Sequence, residues 1–325
     1  MKNNINTNNF SENLDENLPL ISIIAPALNL EDYIERCLKS VINQTYKNFE
    51  FLIVDNGSTD KTVEIINKYA SVDSRIKLLI CPEKGVSKAR NLALKNITGE
   101  YVCFVDGDDA IDPNYCKDLY ENLISYNSDM SICSYKRQKK IKPFHHKKTY
   151  KVTFMDNFEA IKRTICDRGF NGVVYAKLFK RSLLEGIFFD ESIHFSEDLL
   201  FVVEYLYKCK NVSYFPKKLY HYFVRSNGAV MGSFNEKKLT CITSLEKIIE
   251  ISSDKEIIEC AKAWKSMLCV MLIYFYHRDK VKDEKVREYL HNTFVENKKY
   301  VKKSRYVRKL YKNNIDFIGF VIKHW

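Results

Sequence analysis

No run of 18 apolar residues occurs anywhere in the 325-residue chain. The nearest approach, residues 267–276, is too short to cross a bilayer. The opening stretch MKNNINTNNFSENLDEN has no apolar core of the kind a secretory signal needs, and 1–18 reads as a disordered leader. No CxxC pair occurs among the ten cysteines, several of which stand inside apolar runs where cysteine acts as a small hydrophobe. This excludes a zinc-finger framework and a disulfide scaffold, and fits a reducing compartment. There is no internal repeat and no RNP, zinc or helix-turn-helix signature. A formal net charge of +11 therefore carries the nucleic-acid reading alone, and the expectation is no nucleic-acid partner. The excess suits either an anionic partner or a basic, soluble surface.

A hydrophobic fraction of 46% is ample for a full core. The first hundred residues alternate short apolar runs with helical periodicity. ISIIA, FEFLIVD, IKLLI and EYVCFVD read as buried strands. Between them, Ile34, Leu38 and Val41 recur at helical spacing, Asp60 reads as the N-cap of a helix carrying Val63, Ile66 and Tyr69, and 86–95 forms a third helix. Such alternation predicts βαβ units, a mainly parallel sheet and helices on both faces. Ligands bind beyond the carboxyl ends of such strands. Those ends carry Pro26, Asp55, the Lys84–Gly85 pair and the acid run DGDD. Three carboxylates in four residues repel one another unless a cation or water relieves them. Oxygen ligands at a strand end suit Mg²⁺ or Mn²⁺, which share their coordination with phosphate oxygens. Alternatively, Asp109 or Asp112 caps a helix starting at Pro113.

Further on, helices are expected at 113–126, 158–165 and from Glu197, with a strand at DMSICSY. The segment KRQKKIKPFHHKKTYK, rich in Lys and Arg and free of acids, reads as a loop or hairpin. Beyond Ser233 the pattern is helical. One stripe runs through Leu239, Ile242, Leu245 and Ile248, another through Ala261, Trp264, Leu268 and Met271.

The motifs APALN, NQTY, DNGSTD, GVSKARN, GEY and DGDD, in this order and spacing over 19–112, resemble those of family-2 glycosyltransferases with the GT-A fold. YAKLFKRSLLEG and FSEDLLF extend the likeness more weakly to about residue 231. The resemblance implies an α/β GT-A domain over 19–232, with a nucleotide-sugar half (19–112) and an acceptor half (113–232). A helical region with a basic amphipathic tail follows over 233–325. It implies an inverting transferase of bacterial surface-polysaccharide assembly. The donor is a UDP-sugar, the acceptor a hydroxyl of a glycan or lipid-linked oligosaccharide, and the cofactor Mn²⁺ or Mg²⁺. Carried over by position, Pro26 and Asn29 line the nucleotide pocket. Asp55 accepts the uracil N3–H, Arg90 helps hold the base, and Lys84 belongs to the donor site. Asp106 contacts ribose or metal, Asp108 coordinates the metal, and Asp109 faces donor sugar or acceptor. Asp198 is the general base, and Arg225 closes over the diphosphate.

Departures from the family pattern have consequences. Ala27 and Leu28 stand where the family has Val and Tyr, which removes an aromatic stack on uracil. Phe223 and Val224 replace common Arg and Gln, removing a positive charge near the diphosphate unless Lys217 or Lys218 supplies it. Tyr175 stands where a Trp is frequent. Asp198 can also be read as a plain helix cap, Arg225 as a surface arginine, and His221 as either a metal ligand or a hydrogen-bonded side chain. The basic segment 136–151 is either a solvated face or a guide for an anionic acceptor. The C-terminal tail suits an anionic membrane surface, or packing on the protein's own core. The expected location is cytoplasmic, with peripheral attachment to the inner face of the membrane; oligomeric state stays open. Competing functions are a catalytically inactive scaffold, a binder of nucleic acid or another anionic polymer, and a nucleotidyltransferase, whose Gly-rich loop is missing after Ile24.

Overall fold

In the computed structural model the described residues are 18–138, 150–166, 171–224 and 232–301. The leader, most of the basic segment, Arg225 and the tail beyond 301 lie outside them, and with them the membrane reading of that tail.

The alternating first third folds as β1 (Ile21–Ala27), α1 (Ile34–Ile42), β2 (Phe49–Asp55), α2 (Thr62–Ala70), β3 (Ile76–Ile80), α3 (Val86–Leu94) and β4 (Tyr101–Phe104). These strands pair in parallel in the order β3-β2-β1-β4. Both faces are covered, so β1 and β2 are buried almost without interruption. Alternate side chains part company. Ile23, Ala25, Phe51 and Ile53 pack with α1 on one face, while Ile24, Leu52 and Val54 join the core on the other. Each fully buried Ile or Leu contributes about 1.5–3 kcal/mol relative to exposure. In α1, Ile34, Cys37, Leu38 and Val41 form the buried stripe. Asp60 sits one turn position earlier than expected: α2 begins at Thr62, whose N–H and hydroxyl both donate to Asp60 Oδ1 (3.0 and 2.6 Å).

The sheet then departs from pure parallel pairing. Its remaining elements are β5 (Ala110–Ile111), α4 (Tyr115–Ser125), β6 (Met130–Gln138), β7 (Thr153–Asp156), α5 (Asn157–Cys166), β8 (Lys177–Lys180), α6 (Glu197–Lys208) and β9 (Asn211–Phe223). β8 runs antiparallel between β4 and β6; β6 and β9 are parallel; β5 and β7 lie antiparallel on β9. The periodicity did not predict β7 or β9. β9 contains Pro216, which has no N–H for a ladder, and the β6–β9 register shifts between Ile132 and Ser134 while the partner jumps from Tyr214 to Lys218. Pro216 therefore sits in the bulge.

Three helices follow: α7 (Thr240–Ile251), α8 (Lys255–Arg278) and α9 (Glu284–Val301). Ile242, Leu245 and Ile248 are fully buried, and they share one core with Phe104 and Leu206 of the sheet domain. On α8 the expected stripe drifts. Met271 is 37% exposed, and the buried line passes instead through Leu268, Leu272 and Tyr276. All ten cysteines are buried free thiols. No helix of the described residues is long and apolar enough to cross a membrane.

Candidate active site

The parallel register brings the ends of β1 and β2 level, Ala27 opposite Asp55, while β4 ends beside Ile24, whose carbonyl accepts the Val105 N–H (2.9 Å). A cleft of about 770 Å³ is lined by residues at these ends, a volume in the range of ligand sites. Pro26, Leu28, Asn56 and Lys84 line it at or beyond the ends of β1, β2 and β3; Asp106, Gly107 and Asp108 line it after β4; Glu197 and Asp198 bring in the start of α6.

The loops beyond β1 and β2 are laced together. Asn29, at φ +51°, accepts the Thr59 N–H through Oδ1 (2.8 Å) and donates its own N–H to Ser58 Oγ (2.9 Å). Asp55 is 3% exposed, and its carboxylate accepts the N–H groups of Gly57 (3.1 Å) and Ser58 (3.2 Å). That fixes an acceptor at the strand end before any ligand arrives. Asn56 accepts the Gly85 N–H (2.7 Å) and donates to Glu83 O (2.8 Å), which seats the loop carrying Lys84.

The acid turn is tied down from β9. Tyr220 accepts the Asp106 N–H (3.0 Å) and donates its hydroxyl to Asp109 Oδ2 (2.8 Å); Phe223 N–H donates to Asp109 Oδ1 (2.7 Å). Asp109 is 1% exposed, so it is turned inward as an anchor and is not brought into the cleft. Burial, with the charges of Asp106 and Asp108 adding, pushes its carboxyl well up toward the neutral form. Gly107 is obligatory here for space: a Cβ would stand 2.8 Å from Leu30 Cδ1 and 2.9 Å from Pro26 O. Arg36 of α1 donates to the Asp108 carbonyl and stacks 3.6 Å over the Phe223 ring, bracing the turn from the third side. Nothing in the sequence motifs signals Arg36.

Arg90 occupies a different place from the one the resemblance implies. Its side chain is 5% exposed and its guanidinium bridges three acids: Asp198 Oδ1 (2.6 Å), Glu197 Oε1 (3.0 Å) and Asp106 Oδ1 (3.1 Å). It thus joins the acid turn after β4 to the start of α6. The φ of +65° at Ser196 turns the chain so that Glu197 and Asp198 open α6 together. Burial pushes the Asp198 carboxyl up, while Arg90 pulls it down; the net direction is up. Glu197 is likewise raised, by burial and by Asp198. A carboxylate of raised proton affinity facing a cleft is what general-base chemistry needs.

His221 is buried and shares a hydrogen bond with Gln138 through Nδ1. Lys217 pairs with Asp118, and Tyr175 stacks on Tyr220 with centroids 4.4 Å apart. Arg225 lies outside the described residues. α5 and α8 add Ile165 and Trp264 to the cleft wall. Among the described residues no three His, Cys, Asp or Glu side chains form a closed metal cage.

Residues 22–188, just over half of the chain, match the family described as Glycosyl transferase family 2. The chain belongs to that family. Among relatives, glycosyltransferase GlyA of Streptococcus pneumoniae is 35% identical over 225 residues, which is 67% of this chain and 32% of GlyA. The chain thus spans about a third of that relative's length. Among solved structures, residues 1–349 of TarS from S. aureus, in complex with UDP-GlcNAc, superpose with a TM-score of 0.63 at 21% identity, covering 90% of this chain and 92% of that one. A mannosyltransferase, PcManGT from Pyrobaculum calidifontis, in complex with GDP-Man and Mn²⁺, superposes at 0.60 and 15% identity over 94% and 86%. These neighbours share the family's GT-A fold with this chain, and the 90% coverage takes in its C-terminal helices.

Proposed function

We propose that the chain transfers a sugar from a UDP-sugar to an acceptor hydroxyl on a glycan or lipid-linked oligosaccharide, with inversion, in surface-polysaccharide assembly. The observation that carries this reading is the Arg90 bridge. One guanidinium sets Asp198 and Asp106 on the same cleft wall, at 2.6 and 3.1 Å. A base for the acceptor and an acidic turn for the donor diphosphate then lie within one side chain's reach.

Asp106 and Asp108 fit a divalent cation. Both line the cleft and both offer hard oxygen donors. They would hold Mn²⁺ or Mg²⁺ jointly with diphosphate oxygens, and the bound ion would offset charge on the departing UDP. The chain's own groups do the rest. Asp198 takes the proton from the acceptor oxygen as that oxygen bonds to the anomeric carbon and the bond to UDP breaks, in one displacement. Arg90 holds that carboxylate at a fixed angle, and Lys84 and Asn56 face the nucleotide end.

Asp55 supplies base selectivity. Its carboxylate accepts from N3–H of uracil, whereas N3 of cytosine has no proton to give. Calorimetry with Mn²⁺ present is expected to show UDP binding and at least ~10-fold weaker CDP binding. Equal affinities would remove Asp55 from the role. Tighter GDP binding would change the donor class.

A further inference from the structure

Lys177 belongs to the YAKLFKR segment that carries the weaker part of the family likeness, which assigns it no role. It lies in the otherwise apolar run VVYAKLF, at the first position of β8, and is 1% exposed. A buried ammonium costs several kcal/mol unless its protons are well placed. Here Nζ donates to the carbonyls of Val173 (2.6 Å) and Asn171 (3.1 Å). Both belong to 171–174, an irregular strap that runs along the cleft beside Asp198. The strap's Val174 N–H points at Asp198 Oδ2 (3.4 Å).

We propose that Lys177 is a positioning residue: it clamps the 171–174 strap from beneath, so that the strap presents Val174 N–H to Asp198 and holds the base carboxylate at the angle required for proton abstraction. This rests on the role of Asp198 proposed above.

Three further features fit a clamp. The chain between the strap and Lys177 is strained, with φ +59° at Ala176, a conformation that alanine holds only under constraint. The strap is also pressed against α6: a Cβ on Gly172 would stand 2.4 Å from Leu199 Cδ1. Slack in the strap would therefore reach the helix turn that carries Asp198. Finally, Lys177 and Asp198 lie close enough to influence each other's charge. Burial pulls Lys177 down to about 7, opposed by the Asp198 carboxylate. Asp198 in turn feels Arg90, Asp106 and Lys177. The two carboxylate oxygens thus have separate holders, Arg90 on Oδ1 and the clamped strap on Oδ2.

The test uses the full chain and two variants, Lys177→Met and Lys177→Arg. Three readings are taken: UDP affinity by calorimetry with Mn²⁺, UDP release from the fastest-hydrolysed member of a UDP-sugar panel, and amide hydrogen exchange of 171–174. Lys177→Met is expected to bind UDP like the wild type, because the nucleotide end does not involve the strap. It should lose ~10²-fold in turnover, the effect of a small misplacement of a reacting group. Its strap amides should exchange ~10-fold faster. Lys177→Arg keeps the charge and a donor, and should recover part of both. Where Lys177→Met fails to bind UDP, Lys177→Arg decides by the same readings against wild type. A strap that exchanges as in the wild type, or turnover within a few-fold, overturns the clamp. Full turnover in Asp198→Asn would condemn the base assignment instead, and the exchange reading still judges the clamp on its own.

Discussion

Asp198→Asn is expected to bind UDP-sugar as the wild type does and to turn it over at least ~10²-fold more slowly. The substitution keeps the shape and the hydrogen-bonding oxygen that Arg90 reaches at 2.6 Å. It removes the negative charge that faces Arg90 and, with it, the ability to take a proton. The loss should therefore fall on the rate at saturation and not on donor affinity. The wild type should also show an acid limb. The base works when ionised, and burial raises Asp198 above an ordinary aspartate, so activity should already decline at a pH where a solvated aspartate would remain fully charged. In Asp198→Asn that limb should vanish from the residual rate. Turnover surviving within a few-fold would reduce the residue to a cap of α6.

The second large effect is expected at Arg90. Replacing it with Met leaves Asp106, Glu197 and Asp198 facing one another without their shared cation. Breaking a buried ion pair from one side costs about 3–5 kcal/mol. The sign of its pH dependence follows from the acids. With the guanidinium gone, the proton affinities of Glu197 and Asp198 rise further above the unfolded values, so the folded state binds more protons than the unfolded one. Stability is then retained at low pH and lost as pH rises through the raised folded-state values. Urea melts at pH 5 and pH 8 should show a larger deficit at pH 8. Arg90→Lys should recover some stability, yet little turnover, since one ammonium cannot span three carboxylates in the fixed fork that Arg provides. An equal deficit at both pH values would mean that the three acids are not held by this charge.

The βα alternation of the first hundred residues was legible because each strand is a short apolar run and each helix keeps its apolar spacing. The acid turn and the SED triplet were legible as motifs. What joins them was not. Arg90 stands 16 residues from Asp106 and 108 from Asp198, and only the fold can show that one side chain reaches both. Position alone placed Arg90 at the nucleotide base, whereas packing turns it toward the acids. The resemblance set Asp109 facing the donor sugar or acceptor; Tyr220 and Phe223, from a strand that Pro216 disguises, turn it inward. Arg36 and Lys177 act on backbone carbonyls, and such contacts leave no pattern in the chain.

The most direct test of sugar transfer from a UDP-linked donor is the release of UDP from a panel of UDP-sugars by the intact chain. It should be run with Mn²⁺, after addition of EDTA, and after Mn²⁺ is restored. At least one donor should yield UDP, the chelator should abolish the release, and the metal should bring it back. No UDP from any donor, or release that continues unchanged in excess chelator, would contradict the assignment.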